Sequence, residues 1–543
     1  MRAARSTKWR PNKRRKPLQP VAPHALKAML ADGGELALID LREELIFSRG
    51  HLLHARSVPL SRLELNFARL VPRLDTRIVL CDEADGLAER AAGILARAGY
   101  ENLFALAGGV AAWEEAGLEL FSGVNVPSKA FGELVEHACG TPSISADELD
   151  GMMRAGRDLV VLDSRPFDEY RRVSVPTGIN VPGAELVLRV REVAPSPETL
   201  VVVNCAGRTR SIIGAQSLIN AGVPNRVVAL RNGTMGWTLA GHQCESGQNR
   251  RVTKVSATGL SWAKSASKKL ASRFGIARID RDKVETLRGD RTRTLYIFDV
   301  RNPEEYEAGH FPGAFSAPGG QLVQATDQFV GTLGARIVLS DEFEVRALMT
   351  ASWLRQMGWK DVFVLAEAGT EIGRPAPLIL GSGPPLELRI DCAELANLTN
   401  QNGATIVDLS LSREYRKAHI PGAWFAIRSR LAAALNEIPV EGTLVFTSEE
   451  GTVAGLAAPE ARSLAQVPIR YLHGGNAAWR AAGYPLTADA IRMADEPVDM
   501  WLKPYERGAD NEGAMREYLA WEVDLLPRIE RDGSAGFALR AAM

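Results

Sequence analysis

The sequence predicts an α/β protein of four tandem domains, each a parallel sheet with helices on both faces. Three observations carry that expectation. The chain has 543 residues, more than one hydrophobic core usually serves. Four apolar runs ending in aspartate recur along it, and later features of each repeat fall at a constant spacing. Strands that alternate with helical stretches imply a parallel sheet covered on both sides.

The repeat is read in chain order. The first strands are Leu36–Asp40, Leu159–Asp163, Leu295–Asp299 and Thr405–Asp408. Three continue as Asp-x-Arg (Asp40/Arg42, Asp163/Arg165, Asp299/Arg301), and the fourth reads Asp408-Leu409-Ser410. A turn follows, containing Gly50-His51, Pro176-Thr177-Gly178, Gly309-His310-Phe311-Pro312-Gly313-Ala314 and His419-Ile420-Pro421-Gly422-Ala423. Second strands are expected at Ile78–Leu80, Leu200–Asn204, Ile337–Leu339 and Leu444–Phe446, followed by Cys81, Cys205, Ser340 and Thr447. Leu106, Leu230, Leu365 and Leu472 each lie 25 positions further on and close a third strand; seven beyond them stand Trp113, Trp237, Ile372 and Trp479. The tryptophans are read as core anchors.

These landmarks predict domains at 24–121, 140–245, 275–374 and 387–488. A basic arm is expected over 1–20, where residues 1–16 hold eight Lys/Arg and no acid. A basic linker over 246–274 includes a helix-forming stretch, Ser261 to Phe274, expected to pack on a neighbouring domain. Pro375–Pro385 reads as a further linker. Residues 489–543 form a tail, helical over Gly513–Leu526 and docked on the body. Lys+Arg and Asp+Glu balance at 65 each, which argues for neither a nucleic-acid nor a membrane partner. No apolar run has the roughly 18 residues of a membrane helix. Five scattered cysteines form neither a disulfide framework nor a metal cluster, and a reducing cytoplasm fits them.

The second repeat carries the chemistry. Its strand runs into Cys205-Ala206-Gly207-Arg208-Thr209-Arg210-Ser211 and then a helix with Ile212, Ile213, Ala215 and Leu218 on one face, ending near Ala221-Gly222. A short glycine-bearing loop before a helix can turn successive N–H groups inward as an anion nest, and the helix start adds its positive dipole end. With two arginines beside it, a thiol there is expected to ionise readily. One loop thus supplies a nucleophile and an anion site.

Strand, Cys-x-Gly-x-x-Arg-Ser and helix, preceded by Asp-x-Arg and a Gly-His-x-Pro-Gly-Ala-type turn, resemble the rhodanese domain family. The resemblance covers residues 24–488 in four pieces and is most specific in the second. It implies a thiosulfate:cyanide sulfurtransferase or relative, working by double displacement through a persulfide on Cys205, without metal or organic cofactor. The donor is a small sulfur anion and the acceptor cyanide or a thiol, with a protein acceptor left open. The backbone from Ala206 to Ser211 matches the substrate cradle. Arg208 and Arg210 match positions that contact the anionic donor or set loop charge. Arg165 is expected to reach the substrate, while Asp163 supports it. Ser174 departs from the pattern, standing where the turn has histidine.

The other repeats read as inactive. Cys81-Asp82-Glu83-Ala84-Asp85-Gly86 surrounds its thiol with carboxylates, in a loop expected to be longer; Ser340-Asp341-Glu342-Phe343-Glu344 and Thr447-Ser448-Glu449-Glu450-Gly451 have no thiol. Cys139 and Cys392 lie outside any such loop, and Cys244 is a candidate resolving thiol. Two rival readings remain: a sulfur carrier or scaffold without turnover, and a cysteine phosphatase of the cell-cycle type, whose larger loop places arginine six residues after cysteine rather than five, as at Arg210.

Overall fold

The computed structural model describes residues 18–508 and 510–539. The predicted basic arm falls mostly outside them, although Gln19–Val21 already adds an edge strand beside Leu103–Leu106. Four mainly parallel sheets follow one another, and the strands predicted from the repeat are their centres. In the second sheet the order is Ser143–Ile144, Val227–Leu230, Leu200–Asn204, Leu159–Asp163, Ile179–Asn180. The apolar residues of its middle strands are buried on both faces, as continuous valine runs require. The third strands end at Leu106, Leu230, Leu365 and Leu472 as expected.

Trp113, Trp237 and Trp479 are buried at 2–3% exposure on short helices that close the first, second and fourth sheets. The third sheet has no such helix, and Ile372 in the tryptophan position is 81% exposed. Thr332–Leu333, from the third repeat, leaves its own domain and pairs antiparallel with Leu36–Ala37 at the edge of the first sheet.

The domains pack in a nested order, second on third and first on fourth. A single apolar cluster runs through the second and third, from Leu162 and Val203 to Phe298 and Leu339. Their backbones nearly touch, since a Cβ added to Gly320 would stand 3.1 Å from the Cα of Gly183. Arg346, fully buried, ties them by ion pairs to Glu185 at 3.0 Å and Asp341 at 2.9 Å. Between the first and fourth, Arg428 donates to both oxygens of Glu64 at 2.7 and 2.8 Å, and Ser429 to Glu43 at 2.7 Å.

The linker helix spans Ala257–Phe274, buries Ala263, Ala266, Leu270 and Phe274, and lies in the groove between domains two and three. The tail helix is longer than predicted, Asn511–Asp532, and buries Leu525 and Ile529 against Val126 and Ala130 of a helix, Val126–Cys139, that joins domains one and two. Together these two helices roof the mouth of the second sheet.

Candidate functional site

Cys205 lies just past the last residue of Leu200–Asn204, at 2% exposure, and the helix Thr209–Ala221 starts four residues later. Its thiol donates to Ser211 Oγ at 3.5 Å, and Ser211 Oγ donates to the Arg208 carbonyl at 2.8 Å. The loop is braced from below. Thr234 N–H donates to the Cys205 carbonyl at 2.9 Å and Met235 N–H to that of Ala206 at 3.0 Å. Gly233 makes this approach possible: its φ is +55°, and a Cβ there would stand 2.3 Å from the Cys205 carbonyl oxygen.

Strand register corrects the alignment of the four loops. Asp163 pairs with Asn204, whereas Asp40 pairs with Cys81, Asp299 with Ser340 and Asp408 with Thr447. The counterpart of Cys81 is therefore Asn204, and the counterparts of Cys205 are Asp82, Asp341 and Ser448. The constant count of 25 placed Cys81 and Cys205 together because the second repeat has one residue more between its loop and its third strand. Burial, reinforced by Asp40, pushes the Cys81 thiol well above its ordinary range.

The corrected positions show how this loop treats an anion. In the third repeat the Asp341 carboxylate accepts N–H groups from Phe343, Arg346 and Ala347 at 3.2, 2.8 and 3.3 Å. In the first, Asp82 accepts from Ala84 and Ala88, both at 3.0 Å. The first loop is indeed longer, by one residue before its helix at Leu87. In the second repeat the N–H groups of Ala206 through Ser211 donate to no group among the described residues. The side chain at the head of the cradle there is a thiol that leaves those donors to others.

Arg208 and Arg210 flank a cavity of about 190 Å³ over Cys205, but their guanidiniums are already engaged. Arg208 donates to both oxygens of Glu133 at 2.7 Å and to Glu136; Arg210 donates to Glu169 at 3.2 and 2.9 Å and to Gln321 at 3.1 Å. Burial opposes the Glu169 charge, but Arg210 and Lys503 outweigh it and hold the carboxyl far below the usual range.

Arg165 is not at the cavity. It is fully buried and clamps both oxygens of Asp163, at 2.9 and 2.7 Å, and the Val173 carbonyl at 2.5 Å. Arg42 and Arg301 make the same latch on Asp40 and Asp299 in repeats whose loops carry no nucleophile, so the expected substrate contact gives way to a structural clasp. The turn histidines have a similar task, stacking on Phe47, Tyr306 and Tyr415 at 3.8–3.9 Å; Ser174 leaves Tyr170 without that partner. Cys244 packs in a separate apolar cluster with Val161 and Trp237 and does not line the cavity.

The sequence reading missed the roof. Lys129, Lys503, Tyr505 and Tyr518 line the cavity and lie outside the four repeats. Lys129 is 7% exposed, with its ammonium 3.3 Å from Glu522 and 3.4 Å from Gln324. Glu522 is fully buried; one carboxylate oxygen accepts from Tyr518 at 3.1 Å and Thr209 at 3.3 Å, and the other has no partner among the described residues. The one available signal was spacing: Lys129, Glu133 and Glu136 fall on one helix face at intervals of four and three.

A cysteine at the junction of a parallel strand and a helix, followed by loop amides that have no partner among the described residues, fits nucleophilic α/β proteins built at the carboxyl ends of their strands. The rhodanese-like domain family matches residues 22–116, 145–240, 280–371 and 391–482, and the chain belongs to that family. It is similar throughout to the crystal structure of a thiosulfate sulfurtransferase from Pseudomonas aeruginosa: 46% identity, 96% of this chain and 100% of that one covered, TM-score 0.93. A thiosulfate sulfurtransferase from Azotobacter vinelandii is 28% identical over 212 residues, 35% of this chain and 77% of its own. No helix among the described residues is long and apolar enough to cross a membrane.

Proposed function

We propose that this protein is a thiosulfate sulfurtransferase of a reducing compartment, carrying sulfur as a persulfide on Cys205. The Cys205 thiolate attacks the outer sulfur of thiosulfate; the donor S–S bond breaks and its electron pair departs with sulfite. Cyanide or a thiolate then attacks the outer sulfur of the persulfide, and the pair returns to Cys205. Splitting one transfer into two displacements lowers each barrier.

The observation that carries the reading is the amide run from Ala206 to Ser211, whose counterparts hold a carboxylate in repeats one and three. Amides fixed in advance stabilise charge developing on the donor without reorganising. Arg208 and Arg210 are held by carboxylates at two atoms each, whereas Lys129 and Lys503 meet theirs at the longer 3.3 and 3.4 Å, so the cationic contacts with the donor fall to the two lysines. Arg165 with Asp163 fixes the strand end behind the loop, and Thr209 and Ser211 start the helix beneath it.

The test is mass spectrometry after thiosulfate treatment, comparing wild type with Cys205→Ser and Cys81→Ser. One added sulfur is expected on wild type and Cys81→Ser alone; a gain that survives Cys205→Ser overturns the assignment. Steady-state thiocyanate formation separates an enzyme from a carrier.

A further inference from the structure

We propose that a groove between domains one and four binds an acidic, amphipathic peptide segment of a partner protein. The chemistry at Cys205 has no part in it.

Each domain has a helix after its strand-to-helix loop and another after its turn. The loop helices are Leu87–Arg97, Thr209–Ala221, Val345–Gln356 and Thr452–Ala461. The turn helices are Leu63–Leu70, Leu186–Val193, Gly319–Gln324 and Leu431–Glu437. In each packed pair the loop helix of one domain lies beside the turn helix of the other, so each pair has two grooves.

Three grooves are filled, each by the segment that precedes a domain in the chain. Val126–Cys139 precedes domain two and lies against Thr209–Ala221, where a Cβ on Gly132 would stand 2.8 Å from Thr209 Cγ2. On its other side Ser128 accepts from the Thr326 N–H of domain three at 3.4 Å. Ala257–Phe274 precedes domain three; Arg191 of domain two lies over its Trp262 at 5.9 Å, and its Lys264 lies over Phe343 of domain three at 5.5 Å. Ahead of domain four, Leu380 N–H donates to the Glu64 carbonyl of domain one at 2.9 Å, and Pro384 stands 2.4 Å from a Cβ built on Gly455. The fourth groove, between Leu87–Arg97 and Leu431–Glu437, holds a cavity of about 480 Å³ that no described segment fills.

Its lining has two kinds of group. Arg90, Ile94 and Arg97 fall on one face of their helix at intervals of four and three. Arg90 donates to the Ser429 carbonyl at 2.6 Å, and neither arginine has a carboxylate within ion-pair distance among the described residues. Glu460, the carboxylate in the lining, is held by Arg428. Leu60, Leu431 and Leu464 supply apolar surface, and Leu464 is 43% exposed. The groove beside Thr209–Ala221 shows how such a lining is met: the filling helix offers Glu133 and Glu136 to Arg208 and turns Phe131 and Val135 into the apolar cluster. A helix laid in the fourth groove needs the same two faces, carboxylates for Arg90 and Arg97 and aliphatic side chains for Ile94 and Leu464. Residues 1–16, which precede domain one, carry eight Lys/Arg and no acid. That is the sign of the groove itself, so charge assigns the place to a partner.

The probe is a fluorescein-labelled peptide of leucine and glutamate in helical alternation, about 14 residues or four turns long, titrated with the full chain and read by anisotropy. Wild type should bind it, more weakly as salt is added, and should ignore the same peptide with lysine for glutamate. Arg90→Ala/Arg97→Ala should raise Kd about tenfold, the loss of two exposed ion pairs, and Arg90→Glu/Arg97→Glu should raise it further. Leu464→Ser should raise it severalfold by removing apolar contact. Arg374→Glu, at an exposed arginine outside the groove, should leave it unchanged. Thermal unfolding checks that each variant is folded; should an arginine variant unfold, Leu464→Ser decides alone. No binding by wild type, equal binding of the lysine peptide, a Kd unmoved by the groove variants, or an equal shift in Arg374→Glu overturns the proposal.

Discussion

Replacing Cys205 with aspartate should convert the second loop into the third. Both loops start their helix four residues after the position in question, at Thr209 and Val345, so the geometry transfers. Asp341 receives three backbone N–H groups, from the residues two, five and six positions on, besides the Arg346 guanidinium; the backbone equivalents are Gly207, Arg210 and Ser211. At about 1.5 kcal/mol for each charge-assisted bond the gross gain is about 4–5 kcal/mol. Burying a carboxylate near Glu522 costs several kcal/mol, so a net gain of about 1–2 kcal/mol over the uncharged isostere Cys205→Asn is expected. The assay is thermal unfolding with and without added sulfate. Wild type and Cys205→Asn should be stabilised by sulfate, and Cys205→Asp should be the more stable variant yet indifferent to the anion. If Cys205→Asp is instead the less stable of the two and still responds to sulfate, the loop is no anion cradle.

Other outcomes follow from the same geometry. Lys129→Met should raise the KM for thiosulfate about tenfold or more in steady-state assays, by removing the buried ammonium at the cavity. Burial pushes the Glu43 carboxyl up to about 7 at the interface of domains one and four, where Ser429 and Ser61 donate to it. A folded pKa above the unfolded one gives stability that is full below about 4.5 and lost as pH rises to about 7. Glu43→Gln should therefore match wild type near pH 4.5 and exceed it by about 1–3 kcal/mol near pH 8 in denaturant titrations. Arg346→Ala leaves Asp341 buried without its cation and Glu185 with Arg189 alone, and should cost about 3–5 kcal/mol by the same measurement. Cys81, fully buried with its thiol raised, should resist alkylation in the native protein at pH 8 and react only on unfolding.

Much of the molecule is legible in the sequence because its signals are local. Continuous runs of valine and leucine, a terminal aspartate and a glycine-capped helix set the sheets and the loop of Cys205 without reference to other domains. Local counting also has a definite failure. It aligned Cys81 with Cys205, since a residue inserted between loop and strand is invisible to a fixed interval, while the ladder from Asp163 to Asn204 exposes it. It assigned Arg165 to the substrate because a charged side chain near a loop carries no sign of its direction; burial and the Asp163 clamp settle that.

By itself, then, the sequence determined the repeated unit and which repeat sets a cysteine between a strand and a glycine-bearing, arginine-flanked helix start, since both depend on residues close together in the chain. The tertiary structure decided what stands over that thiol. Lys129, Lys503, Tyr518 and Glu522 come from segments hundreds of residues apart. Only the burial of the tail helix against the helix joining domains one and two brings them together, and that packing depends on apolar faces meeting across the whole fold.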